Sequence, residues 1–260
     1  MEKLIVRAAV APLYESPRAG ALLADELLCG MSAELLEESG GGLVRVRSFY
    51  GYEGYGARES FSTEGAEEWG RREKLIVTWS YDNVQQQPSV RSPVSLSLPR
   101  GSLCAGKGPS VLGWQEVRLA GGGEGFIQAV HLAPYPMGGG LAGDKLRLSL
   151  CQNALSYMGC CYRWGGKTPL GIDCSGLCSQ VYLNHGIGIY RDAVIAGGYP
   201  VHEIPFAELR PADLLYFRGH MALWLGDGRY IHSSASSGGV TASSFTEGDA
   251  GYRNDLSKGL

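Results

Sequence analysis

The stretch GIDCSGLCSQVYLNHG, residues 171–186, places a cysteine directly after an aspartate. Asp173 is a good N-cap residue, so the spacing predicts a helix whose first residue is Cys174. Leu177, Cys178, Val181 and Tyr182 follow at +3, +4, +7 and +8, which puts Cys174 at the head of the apolar stripe. His185-Gly186 is the expected stop. A thiolate there would face free N–H groups and the positive end of the helix dipole, an arrangement that lowers a thiol pKa below its usual ~8.5. Ser175 and Gly176 are small, so a substrate could approach closely. A cysteine serving only as a buried apolar side chain fits the same position. Cys151, Cys160, Cys161 and Cys178 are read that way. No Cys-x-x-Cys pair occurs, and neither a metal nor another cofactor is expected.

A nucleophilic cysteine needs a base within reach, held by a third group. Among the five histidines, His131 precedes a glycine-rich linker, His185 sits at a helix end and His202 lies in a loop. His220 and His232 remain, on one expected hairpin, HMALWL-GDG-RYIHSS. A two-residue Asp227-Gly228 loop would set Leu223 opposite His232 and send the two histidines to opposite faces. A three-residue Gly226-Asp227-Gly228 loop sets Ala222 opposite His232 and puts both histidines on one face, Cβ atoms roughly 7–8 Å apart. The chemistry requires the three-residue loop, which a type I turn with a left-handed glycine suits. His220 is then the base, and His232 holds its far ring nitrogen.

The rest of the chain must position these groups. Its 260 residues are 44% apolar and 19% charged, ordinary for globular domains. A net charge of −3 makes no case for nucleic acid or an anionic membrane. No apolar run approaches ~18 residues, so no membrane span is expected. The N-terminus lacks the apolar core of a secretory signal, and seven cysteines suggest no disulfide framework. A cytoplasmic monomer with reduced thiols is the expectation.

The first half reads as β, in runs such as LVRVRSF (43–49) and KLIVTWS (74–80) separated by glycine and proline turns. Only a stretch around 21–38 carries a weak helical period. A repeat joins VAPLYESPRAGALLADELLCGMSAELL to NVQQQPSVRSPVSLSLPRGSLCAG. Each copy continues into a strand, a glycine-rich turn, then Gly-Tyr or Gly-Phe and another strand. This pattern resembles bacterial SH3 domains and predicts two small β-barrels, at 1–70 and 71–135. APYPMGGGLAGDK (133–145) reads as a linker. After it, DKLRLSLCQNALSYMG predicts a helix capped by Asp144 and ended by Gly159. The strands ADLLYF, HMALWL and RYIHSS follow, giving an α+β domain over 141–260.

YRWGGKTPLGIDCSGL, then RPADLLYF, then HMALWLGDGRYIHSS resembles the NlpC/P60 family of cysteine peptidases across about residues 144–245. The family's motifs occur in order, with Ala212 where glycine is usual and Met221 where valine is usual. The resemblance implies a papain-like α+β fold with Cys174 as nucleophile, His220 as general base and acid, His232 as orienting third member and Tyr162 near the thiol. The Cys174 N–H would be an oxyanion donor. Asp173, Ser175 and Asp192 match substrate contacts. Two SH3-like domains ahead of such a domain resemble the γ-D-glutamyl-L-diamino acid endopeptidases of murein recycling. Their substrates are murein tri- or tetrapeptides with a free L-alanine amine. Glu26, with Tyr52 or Tyr55, would read that amine, because a buried ammonium needs a charge partner. An amidase or acyltransferase of the same fold, or a non-catalytic wall-binding protein, are the alternatives.

Overall fold

The computed structural model describes residues 2–136 and 140–257. The centre of the expected linker, 137–139, lies outside the described residues. The chain divides into two compact units, Met1–Met137 and Gly138–Leu260.

The first unit holds two seven-stranded sheets. One contains β1 (Glu2–Val6), β2 (Val10–Tyr14), β3 (Leu23–Leu28), β4 (Ser32–Gly40), β5 (Leu43–Ser48), β6 (Glu53–Ala57) and β7 (Phe61–Ser62). After helix α1 (Ala66–Arg71), the other contains β8 (Leu75–Val77), β9 (Tyr81–Gln85), β10 (Val94–Pro99), β11 (Leu103–Gly106), β12 (Trp114–Arg118), β13 (Glu124–Gln128) and β14 (Leu132–Pro134). Their orders are β3-β2-β6-β5-β4-β1-β7 and β10-β9-β13-β12-β11-β8-β14, the same path walked twice. Among the described residues no ladder joins the two ends of either sheet, so the pairing is open rather than the closed barrel expected. The terminal strands β7 and β14 are only two and three residues long, too short to carry a closing ladder. The stretch at 21–38 is β3 and β4, not helix. Pairing with β2, β1 and β5 overrides the helix preference of its Leu, Ala and Glu residues. One core unites the two sheets, with Ile5 and Cys29 packed among Val77, Val84, Leu98 and Cys104.

The second unit has helices α2 (Gly143–Leu155) and α3 (Cys174–Leu183), and a two-stranded ribbon of β15 (Lys167–Thr168) with β16 (Gly171–Ile172). Its main sheet is β17 (Leu214–Phe217), β18 (His220–Gly226), β19 (Arg229–Ser234) and β20 (Gly239–Ser244), in chain order and antiparallel. The short helix α4 (Asn254–Ser257) follows. This is an α+β layer of helices on one antiparallel sheet. Asp144 does not cap α2. The N-cap is Ala142, and Asp144 lies in the first turn, where its carboxylate accepts from Arg210. The helix stops at Leu155, ahead of Gly159, whose N–H donates instead to Val240 O. Helix α3 is buried at every residue except Tyr182, so it is a core helix rather than an amphipathic one. Leu177 and Val181 pack with Leu150 and Ala154 of α2 and with Met221, Leu223 and Ile231 of the sheet.

Ala212, in place of the glycine usual in the resembled motif, takes φ 74° in the turn closed by the Asp213 N–H on Arg210 O. That conformation costs an L-residue roughly 1–2 kcal/mol. Ala212→Gly relieves it but loses a buried methyl worth ~0.8 kcal/mol and adds ~0.5–1 kcal/mol of chain entropy. Thermal unfolding of Ala212→Gly is therefore expected within ~1 kcal/mol of wild type. A clearly larger loss would show that the turn carries no strain.

Candidate active site

Asp173 caps α3 as expected. Its Oδ1 accepts from the N–H of Gly176 at 2.6 Å, and its Oδ2 accepts from the N–H of Gly165 at 2.7 Å. Gly176 is small for a different reason than substrate access. A Cβ there would lie 2.2 Å from Gly166 O and 2.8 Å from Asp173 Oδ1. At the far end, Gly186 at φ 74° closes the helix as read. Its N–H donates to Leu183 O, and the Ile187 N–H reaches back to Tyr182 O.

Cys174 is buried, and its sulfur lies within reach of the N–H groups of Met221 and Ser175. The thiol pKa is nevertheless raised above its ordinary value. Burial is the main cause and the Asp173 charge the second, and both outweigh the two N–H donors and the Arg191 guanidinium. The donor at the helix start pulls the thiol pKa down but is outweighed, so the net shift is opposite to the reading from position alone.

The hairpin carrying the histidines differs from expectation in its loop and agrees in its register. Gly226 pairs with Arg229, so the loop is the two residues Asp227 and Gly228, both at positive φ. A bulge between Trp224 and Gly226 then restores the pairing of Leu223 with Ile231. The extra residue of the bulge does what a third loop residue would have done, and both histidines face one side. His220 Nε2 and His232 Nδ1 are 2.7 Å apart. His232 Nε2 lies 3.0 Å from Ser243 Oγ.

Burial pushes both imidazoles down, His220 to about 4 and His232 to about 3. Arg253 adds to the effect on both, His220 adds to it on His232, and Asp255 opposes it. The resting pair is a neutral thiol and a neutral imidazole. Each folded pKa lies below the unfolded value near 6.5, so the unfolded chain binds more protons between the two. This contribution to stability is complete above about pH 6.5, is lost as the pH falls toward about 4, and changes little below about 3. Unfolding midpoints between about pH 4 and 7 are expected to fall with acid, and His232→Gln to flatten that slope. An unchanged slope in the variant would remove His232 as its source.

Tyr162 joins the site through backbone pairing with Ile172. Its phenol is pushed up to about 12 by burial first and by the charges of Cys174 and Asp173 next. Asp173 and Ser175 are held from inside the protein by Arg191, a residue the sequence reading passed over. Arg191 is 1% exposed and donates to Asp173 Oδ1 and Oδ2, both at 3.0 Å, to Ser175 Oγ at 2.9 Å and to Gly166 O at 3.3 Å. The one signal was its place beside Asp192 in a glycine-rich, weakly polar segment. Asp192 is half-buried and accepts from the Tyr190 phenol. Ser243 was also missed, because strand β20 carried no signal beyond its neighbours. Glu26, Tyr52 and Tyr55 belong to the first unit. Glu26 is buried on β3 opposite Pro12, the half-buried Tyr52 donates its N–H to Ser48 Oγ, and the half-buried Tyr55 lies on β6 between Tyr14 and Arg45.

The NlpC/P60 family model matches residues 159–254. A dipeptidyl-peptidase 6 from Lysinibacillus sphaericus is 37% identical over 257 residues, spanning 97% of this chain and 95% of that protein. A gamma-D-glutamyl-L-lysine dipeptidyl-peptidase from Bacillus cereus is 34% identical over 92 residues, 32% of this chain and 27% of that one. The crystal structure of an NlpC/P60 family protein from Bacillus cereus shares the fold, with a TM-score of 0.79 at 19% identity over 95% of each chain.

Proposed function

The chain belongs to the NlpC/P60 family of cysteine peptidases, and from that premise we propose that it hydrolyses the bond between γ-D-glutamate and the L-diamino acid of murein peptides. The observation that carries the reading is the 2.7 Å contact of His220 with His232, beside a cysteine whose sulfur meets the Met221 N–H. His220 engages His232 through Nε2, so Nδ1 takes the thiol proton as Cys174 attacks the γ-glutamyl carbonyl. The N–H of Cys174 at the helix start stabilises the oxyanion. His220 then returns the proton to the leaving amine, and water hydrolyses the thioester.

The Lysinibacillus relative is named a dipeptidyl-peptidase, which supports a peptidase, and the name of the Bacillus relative supports the γ-D-glutamyl class. The diamino acid is diaminopimelate or lysine. Tyr162, Asp173, Ser175 and Asp192 line the substrate side. In this reading the first unit is a pair of SH3-like domains, for which the repeated strand order is the support. Glu26, with Tyr52 or Tyr55, reads the free L-alanine amine, since an ammonium taken out of water needs a charge partner. The protein acts as a monomer on released fragments in the cytoplasm.

Mass-spectrometric digestion of L-Ala-γ-D-Glu-diaminopimelate, beside its N-acetylated form and a Cys174→Ala control, tests this. Cleavage of the free-amine peptide alone, lost in the control, is expected. Equal cleavage of both forms would keep the peptidase and overturn the amine reader. Cleavage of neither would favour an amidase, an acyltransferase or a wall-binding role.

A further inference from the structure

We propose that Ser243 is a positioning residue that sets the tautomer of His232 and, through it, keeps the Nδ1 of His220 bare for the thiol proton. The inference rests on the peptidase reading of Cys174 and His220. Its basis is a line of contacts, His220 Nε2 to His232 Nδ1 at 2.7 Å and His232 Nε2 to Ser243 Oγ at 3.0 Å.

The proton count along this line has two solutions. In one, His220 carries its proton on Nε2 and donates it to a bare His232 Nδ1. His232 then carries its own proton on Nε2 and donates it to Ser243 Oγ. His220 Nδ1 is bare and can act as a base. In the other, Ser243 donates to a bare His232 Nε2. His232 then holds its proton on Nδ1 and donates to His220 Nε2, which forces the His220 proton onto Nδ1 and blocks the base. A serine hydroxyl can play either part. The first solution needs a place for the serine's own proton. Ser243 stands opposite Tyr230 in the β19–β20 ladder, and both side chains are buried. The Tyr230 hydroxyl lies beside Ser243 and has no other hydrogen-bond partner among the described residues. A small rotation lets the serine donate to that oxygen, leaving its lone pairs to accept from His232. When His220 takes the thiol proton, the same line holds the imidazolium without reversal.

The charged and titratable groups facing His232 are His220 from β18, Tyr230 on its own strand, and Arg253 and Asp255 from the C-terminal segment. The partner at the end of the line is a hydroxyl. A carboxylate there would hold a protonated histidine far more strongly.

The test combines imidazole nitrogen NMR on histidine-labelled protein with kcat and KM across pH for Ser243→Ala, Ser243→Thr and Ser243→Asp. His232 is expected to carry its proton on Nε2 in wild type and in Ser243→Thr, and to populate both tautomers in Ser243→Ala. In Ser243→Ala, kcat is expected to fall roughly tenfold at unchanged KM, the effect of one lost hydrogen bond. Ser243→Thr restores it. Ser243→Asp moves the acid limb of kcat to higher pH. A His232 proton on Nδ1 in wild type, or wild-type tautomers and kcat in a folded Ser243→Ala, overturns the proposal. Expected tautomers in a wild-type protein that cleaves no murein peptide overturn the peptidase reading instead, and with it the role given to Ser243.

Discussion

Cys174→Ala is expected to lower kcat/KM on the murein peptide by about four orders of magnitude or more, the usual cost of removing a covalent nucleophile. The fold should survive. Cys174 is buried as a neutral thiol at the head of α3, and alanine is a better helix former that leaves the Asp173 cap intact. Thermal unfolding separates loss of chemistry from loss of structure. His220→Ala should cost nearly as much as Cys174→Ala. The double variant should be no worse than either single one, because a nucleophile without its base and a base without its nucleophile are equally idle. Additive losses in the double variant would mean that the two residues do not act as a unit. More than a few per cent of wild-type turnover in Cys174→Ala would exclude the thiol as nucleophile.

Arg191→Met is expected to be the most destabilising single change near the site, by about 3–5 kcal/mol. The guanidinium is enclosed at 1% exposure and satisfies both carboxylate oxygens of Asp173. Removing it strands a buried negative charge with the N–H groups of Gly165 and Gly176 and the Ser175 hydroxyl as its remaining donors. It also removes one donor each from Ser175 Oγ and the Gly166 carbonyl, which weakens the tie between the loop before β15 and the first turn of α3. Arg191→Lys should recover little, because an ammonium cannot make the forked contact. Adding Asp173→Asn to Arg191→Met should recover part of the loss by removing the stranded charge. Denaturant midpoints at constant slope measure all three. A loss under about 1 kcal/mol for Arg191→Met would show that the pair contributes little to the fold.

Local chemistry explains how much of this could be read in advance. The cap of α3, the heading cysteine and the left-handed stop at Gly186 each depend on residues within a few positions of one another, and each appears where the spacing put it. The histidine pair shows the boundary. Asp227-Gly228 was legible as a turn, but the bulge after Trp224, which returns both imidazoles to one face, depends on how β18 pairs with β19 over its whole length. The expected loop length was therefore wrong while the expected register was right. The stretch at 21–38 failed in the opposite way, since its residues favour helix and only pairing with β1, β2 and β5 holds it extended.

Sequence by itself determined the family likeness, the helix that begins at the cysteine and the two histidines that share a hairpin, because short-range spacing encodes all three. Tertiary structure alone decided the protonation of the site. Arg191 and Ser243 are distant in sequence from the groups they hold, and enclosure sets the pKa values of the thiol and both imidazoles, the thiol's against what its position at a helix start implies. Desolvation is a property of everything packed around a group, and no short stretch of chain carries it.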